Sequence, residues 1–300
     1  MAPPFPSPTT KWHDSTYESL SPTRPELSAK GKTVLITGGG TGIGAETARY
    51  FAAAGASRIA LLGRREQPLL ETKASIERQF PGVDVFVAPT DVTVKSQVDA
   101  AFANFLGRDG KLDVAVSNAA IIGPHETVDE VDADKFIDGV SQNLRGALLV
   151  AQAFLRHAAK DAVAINVSSS AAHQKFRPAK FVSYSTAKMA AVRLWDSLAT
   201  SYPHLSVFHL QPGIVDTDMN KQAGGVKAAG FEDNVSLPAS FMLWLASPEA
   251  RFLKGKFLWA NWDVEELKAR RNELESTTVL NIDLGGWPFG ESDYSPKYNW

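Results

Sequence analysis

Short apolar runs rich in Val, Ile, Leu and Ala recur along the chain, each leading into a more polar or alanine-rich stretch of helical character. A short continuous apolar run fits a strand buried on both faces, and a period of three to four fits a helix packed on a sheet. The runs are TVLIT (33–37), SRIALLG (57–63), VDVFVAP (83–89), LDVAVSNAA (112–120), AVAINVSSS (162–170), LSVFHLQPG (205–213) and KFLWANW (256–262). Helices are expected from Gly44 to near Gly55 and over 66–79, 94–107, 130–158 and 183–201. Strands alternating with helices predict an α/β protein with a doubly wound parallel sheet of about seven strands and helices on both faces.

The flanks break this pattern. Residues 1–30 are rich in Pro, Ser and Thr and are expected to form an arm, draped on the surface or partly disordered. Residues 31–262 contain no linker and no internal repeat, so they are expected to form one domain. Between Val215 and about Leu237 the pattern lapses into Gly, Asp, Asn and Lys. A loop of that length in a compact domain is expected to shape a binding pocket, over about 215–240. Residues 263–300 read as an extension: a charged helix, DVEELKARRNELES, and an irregular aromatic tail.

The first apolar run ends at Thr37 and enters KTVLITGGGTGIGAETARYFAAAGA. Ligands of a doubly wound sheet sit beyond the carboxyl ends of its strands. A helix N-terminus there offers unpaired N–H groups and a partial positive charge. Glycines admit a close approach of backbone to ligand. The pattern Thr37-Gly38-x-x-x-Gly42-x-Gly44, with Thr41 and Ile43 between, is therefore expected to hold a dinucleotide phosphate. It is no Walker loop, because no G-K-[ST] closes it. After the second run comes Gly63-Arg64-Arg65, with no carboxylate before Glu66. An acidic residue at this place favours a ribose 2′-OH, whereas arginine clamps a 2′-phosphate. The expected cofactor is NADP(H) rather than NAD(H), with Arg64 as the leading contact and Arg65 beside it.

Composition narrows the alternatives. The formal net charge of −2 and pI near 6.3 leave no basic footprint for nucleic acid and no polybasic membrane signal. With no cysteine in 300 residues, disulfides, thiolate catalysis and cysteine-ligated metals are excluded. The six histidines are scattered and form no metal-binding pair, so no metal is expected. No run approaches the ~18 residues that would span a bilayer. The proline-rich start lacks the features of a signal peptide, and a cytoplasmic location is expected.

Tyr184 and Lys188 stand four apart on an expected helix and so share a face. An ammonium beside a phenol favours the phenolate. To exchange protons near neutral pH, Tyr184 is expected to titrate roughly two to three pH units below its ordinary value near 10. Ser168, Ser169 and Ser170 follow the fifth apolar run. A hydroxyl there can bond a substrate carbonyl, and more strongly its alkoxide-like transition state. Ser169 is the leading candidate and Ser170 the alternative.

These motifs together resemble the short-chain dehydrogenase/reductase family, in order from about residue 30 to 262. The resemblance implies a Rossmann-type fold. TDVT (90–93) is similar to the family segment that sets Asp91 and Val92 beside the adenine. SNAA (117–120) stands where the family has N-N-A-G, so Asn118 and Ala119 carry over while Ser117 and Ala120 depart. QNLRGAL (142–148) resembles the segment with the catalytic asparagine, here Asn143, which in the family holds a water linking the lysine to solvent. YSTAK (184–188) resembles Y-x-x-x-K, and INVSSS (165–170) the strand end with the catalytic serine. QPGIVDT (211–217) resembles the nicotinamide segment and implicates Pro212, Gly213, Val215 and Thr217.

The resemblance implies an oxidoreductase that moves hydride between NADP(H) and a ketone, aldehyde or alcohol. Tyr184 would be the acid/base, Lys188 would tune it, and Ser169 would orient the substrate. KFLWANWDVEELKARR resembles fungal members, some of them ketoreductases of secondary metabolism. The expected substrate is small and moderately apolar. A homodimer or homotetramer is expected, through the helices at 130–158 and 183–201. The alternatives are a non-redox isomerase, dehydratase or cyclase of the same fold, and a non-enzymatic NADP(H)-binding interaction protein.

Overall fold

Seven strands form a single parallel sheet: β1 Thr33–Thr37, β2 Arg58–Gly63, β3 Asp84–Pro89, β4 Leu112–Ser117, β5 Ala158–Val167, β6 Ser206–Gln211 and β7 Phe257–Trp259. The computed structural model describes residues 4–175, 180–226 and 230–284. The strand order is β3-β2-β1-β4-β5-β6-β7. The winding direction reverses between β1 and β4, which is where a doubly wound sheet opens a crevice.

Alternate strand side chains serve two separate cores, as the pleat requires. Val34, Ile36, Ile59, Leu61, Val114 and Val116 face one core. Leu35, Ala60, Leu62 and Ala115 face the other. Because both faces are buried, the strands read as continuous apolar runs. On the first face lie α1 Gly42–Ala53, α2 Glu66–Gln79 and the helix Ser236–Leu245, with Phe51 and Trp244 fully buried. On the second lie α3 Lys95–Leu106, α4 Ala133–His157 and α5 Val182–Ser201, around Phe102, Phe154 and Trp195. Asp132 caps α4 by accepting the Lys135 N–H at 2.9 Å, which fixes its start.

The structure departs from the sequence pattern in three places. The helix Ser236–Leu245 has no apolar stripe because every residue from Leu237 to Leu245 is buried. β5 begins at Ala158, behind the polar pair Lys160 and Asp161, and ends at Val167, so the three serines lie beyond it. The charged C-terminal helix is two short helices, Val264–Ala269 and Arg271–Ser276, meeting at Arg270. The aromatic tail falls at residues 285–300, outside the described residues.

The described part of the segment before β1, from residue 4 on, is fastened to the core at several points. Trp12, Leu20 and Leu27 belong to the first core. Trp12 forms an antiparallel bridge with Trp262, and Arg24 pairs with Glu249 at 2.8 Å. Among the described residues no helix is long and apolar enough to cross a membrane.

Candidate active site

The end of β1 is tied to the end of β4. Thr37 Oγ1 accepts the N–H groups of Asn118 and Ala119 at 2.9 and 3.0 Å. Asn118 Nδ2 donates to the Thr37 carbonyl at 2.9 Å. This brace explains part of the glycine run. A Cβ on Gly44 would lie 2.2 Å from the Gly38 carbonyl oxygen and 2.9 Å from Asn118 Nδ2. At Gly44 the close neighbour is the chain's own backbone, not a ligand. Gly42 differs: its φ is +52°, and a Cβ there would meet Thr217 Cγ2, across the crevice, at 2.9 Å. Thr41 at the N-cap of α1 makes no side-chain cap bond, so the first-turn N–H groups remain open to an anion. Gly44→Ala is expected to cost about 3 kcal/mol in urea unfolding, the upper range for overpacking against backbone. A loss below about 1 kcal/mol would show that the β1–α1 corner yields freely.

At the end of β2, Arg64 and Arg65 are both exposed. Arg65 reaches across the crevice to Asp218, Nη2 to Oδ2 3.5 Å. Both side chains are 66% exposed, so the pair is weak and yields readily to a better anion. Asp91 accepts the Thr93 N–H and hydroxyl at 2.9 and 2.8 Å. Those bonds hold its carboxyl below the ordinary carboxylate range, with help from the charge of Arg64. Val92 fills the space that a side chain at Gly146 of α4 would take.

The opposite end is built by α5 and the residues after β5. Lys188 is buried and donates to the Val167 carbonyl at 2.7 Å. Its ammonium lies over the Tyr184 ring, 5.5 Å from the centroid. Burial pushes the Lys188 ammonium down to about 8. Burial also pushes the Tyr184 phenol up to about 12, with the Ser169 hydroxyl beside it pulling the other way. The expectation that Lys188 lowers Tyr184 is therefore corrected for the protein alone. A spacing of four brings the ammonium over the ring face, not to the hydroxyl, and desolvation then governs both groups. Tyr184 is a neutral phenol, able to donate a proton.

Ser169 caps a short turn, Ser170–Ala172, accepting the Ala171 N–H at 3.2 Å. The hydroxyl beside Tyr184 is that of Ser169, while the Ser170 N–H is taken by Gln211 Oε1 at 2.9 Å. Asn143 braces the wall after β4. Its Oδ1 accepts the Ile121 N–H, and its Nδ2 donates to the carbonyls of Ile121 and Gly139, all at 3.0 Å. Both Nδ2 hydrogens are thus used, while Oδ1 keeps one acceptor site for a further donor.

These parts line one cleft of about 740 Å³. Among the expected residues, Gly38, Thr41, Gly42, Ile43, Arg64, Arg65, Asp91, Val92, Asn118, Ala119, Asn143, Tyr184, Lys188, Pro212 and Thr217 face it. Gly44 packs behind them. Ser169, Gly213 and Val215 do not line the cleft: Ser169 reaches it only through its place beside Tyr184, and Gly213 and Val215 belong to the turn that supports Pro212 and Thr217. Pro68, Leu69, Ile121 and Ile122 line the cleft from outside every expected motif, Gly40, Thr90 and Ser168 line it from within expected motifs at positions given no role of their own, and Asp218, Met219 and Gln222 come from the expected loop. Ser168 is 2% exposed and its hydroxyl has no partner. An unpaired buried hydroxyl is costly unless a ligand completes it. A nicotinamide dinucleotide fits this donor set, with open N–H groups at the α1 corner, arginines at one end, and at the other the unpaired Ser168 hydroxyl and the Lys188 ammonium, which spends only one of its donors on Val167. Among the described residues no cluster of His, Asp and Glu could hold a metal ion.

Comparison with known proteins adds independent findings. The sequence profile of the short chain dehydrogenase family matches residues 32–226. A short chain dehydrogenase/reductase of Claviceps purpurea is 34% identical over 276 residues, covering 90% of this chain and 91% of its own. The short chain dehydrogenase/reductase AacuD of Aspergillus aculeatus is 32% identical, covering 93% and 97%. A solved short-chain dehydrogenase/reductase from Serratia marcescens superposes with a TM-score of 0.69 at 25% identity, covering 77% of this chain and 96% of its own.

Proposed function

The chain belongs to the short-chain dehydrogenase/reductase family, and from that premise we propose that it is an NADP(H)-dependent oxidoreductase interconverting a ketone or aldehyde and an alcohol. Members of the family are oxidoreductases that bind a nicotinamide cofactor. The observation that carries the finer reading is the meeting of Tyr184 and Lys188 at one end of a cleft whose other end holds Arg64 and Arg65, with the Ser169 hydroxyl beside the phenol.

The bound cofactor supplies or accepts the hydride. In the reducing direction the neutral Tyr184 phenol gives its proton to the substrate oxygen. Ser169 accepts the Ala171 N–H through its oxygen, and its own hydrogen, directed at the Tyr184 oxygen in the protein alone, turns to the same substrate oxygen. Lys188 spends one of its three donors on Val167, and its charge stabilises the phenolate left behind. Asn143 holds the Ile121 wall that bounds the substrate side.

Ile121, Ile122 and Met219 along the cleft support a small, moderately apolar substrate. Exposed Leu148 on α4 and Met189 on α5 support packing of those helices against a second copy. The fungal relatives support a fungal metabolic role, with secondary metabolism the setting expected from the resemblance.

The direct test is NADPH consumption, followed by absorbance, against a panel of apolar ketones and aldehydes. Turnover of at least one supports the reading, and none across a broad panel with NADPH demonstrably bound contradicts it. Arg64→Glu is expected to weaken NADPH binding about tenfold or more and to leave NADH nearly unaffected. Equal losses for both nucleotides would remove Arg64 from 2′-phosphate recognition.

A further inference from the structure

Asp233 is 2% exposed, and it is not part of the chemistry described above. Its Oδ2 accepts the Ile214 N–H at 2.7 Å, and its own N–H donates to the Ile214 carbonyl at 2.8 Å. Its Oδ1 accepts from Asn261 Nδ2 at 2.9 Å. The carboxylate sits so close to Gly213, whose φ is +92°, that a Cβ there would lie 2.6 Å from Oδ2. The same residues reach the N-terminal arm. Asn261 exchanges main-chain and side-chain bonds with His13, and the Asn234 N–H donates to the Asp14 carbonyl at 2.6 Å.

The turn gripped in this way begins at Pro212 and ends at Thr217, and both of those residues line the cleft. Thr217 Cγ2 also occupies the space in front of Gly42. Two segments far apart in the chain, at Ile214 and at Asn261, thus meet on one carboxylate behind the rim of the cleft, and the arm bonds Asn261 and Asn234 beside it. Burial pushes that carboxyl up to about 6, the Ile214 N–H and the Asn261 amide pulling the other way, so the group is held at a cost to the fold. Costly buried polar networks of this kind fix one geometry.

We propose that Asp233, with Asn261, is a positioning residue that sets the Gly213–Thr217 rim, and that the N-terminal arm is thereby a working part of the cleft. The identity of the ligand at that rim rests on the function proposed above; the bracing itself does not.

The test compares the full-length protein with Asp233→Asn and with the double variant Asp233→Asn/Asn261→Asp. An asparagine at 233 sets a donor against the Asn261 amide, and the double variant restores a donor–acceptor pair between 233 and 261 while giving up the bond from residue 261 to the His13 carbonyl, so its recovery is partial. Two readouts are taken: hydrogen exchange of the 212–217 backbone without ligand, and affinities for NADPH and for adenosine 2′,5′-bisphosphate, which probes the Arg64 end alone.

The single variant is expected to lose exchange protection at 212–217 but not at the start of α1. It is also expected to bind NADPH about tenfold more weakly, with the bisphosphate within about twofold and partial recovery in the double variant. Unchanged protection at 212–217, or a parallel fall for both nucleotides, overturns the proposal. If Asp233→Asn does not fold, Asn261→Ser, which keeps the Ile214 bond, is expected to shift both readouts in the same direction by a smaller factor. If the unaltered protein binds neither nucleotide, the proposed function fails, while hydrogen exchange still decides the role of Asp233.

Discussion

Tyr184→Phe is expected to lower kcat and kcat/KM for carbonyl reduction together, by about 10²–10⁴-fold, the usual yield of a positioned general acid. The substitution removes only the hydroxyl. The ring over which Lys188 sits is kept, so NADPH affinity should stay within about twofold and the fold should be undisturbed. Steady-state kinetics on any substrate found in the ketone panel, with a parallel binding titration, checks both halves. A loss smaller than about tenfold would assign the proton to another donor, and Ser169, beside the phenol, would be the next to test.

Lys188→Met is expected to abolish turnover while stabilising the cofactor-free protein. The ammonium is buried against a single carbonyl acceptor, and burial brings it from its ordinary 10.5 down to about 8. Between those two values the unfolded chain binds more protons than the folded one, so stability rises with pH across the window. Below pH 8 the folded protein carries the full cost of the buried charge, about 3 kcal/mol. A methionine of similar length removes that cost but leaves the Val167 carbonyl unpaired, so the net gain should be about 1–2 kcal/mol, or roughly 2–8 °C in Tm. Thermal melts between pH 7 and 9.5 should show the wild-type protein closing the gap as pH rises. Tyr184 acts in the opposite sense above pH 10, since its folded value is raised to about 12, so the comparison belongs below that point. A less stable variant at pH 7 would mean that the ammonium is better compensated than its single protein acceptor indicates.

The sheet was legible because burial on both faces turns each strand into an apolar run that needs no periodicity to be seen. The same uniform burial hid the helix Ser236–Leu245, whose apolar run carries Pro238 and has no polar face. In the arm, Trp12, Leu20 and Leu27 reach the core singly from among prolines and serines, so no local pattern announces them. At the site, spacing and motif order identified half of the lining residues. Spacing alone could not say whether Ser169 or Ser170 faces the tyrosine; the turn at Ser170–Ala172 does that. Nor could it show that burial outweighs the ammonium at Tyr184, because a period of four reports proximity and not desolvation. Asp233 was out of reach for a different reason. Its partners Ile214 and Asn261 come from separate segments that meet only once the sheet is complete.

The central claim, that this cleft is an NADP(H) site, is tested most directly by titrating the purified, nucleotide-free protein with NADPH and with NADH and following nicotinamide fluorescence. The account predicts tighter binding of NADPH by about tenfold or more, the worth of one charge-assisted bond to a 2′-phosphate. Tighter binding of NADH would contradict the reading of Arg64 and Arg65, and binding of neither would contradict the redox mechanism itself.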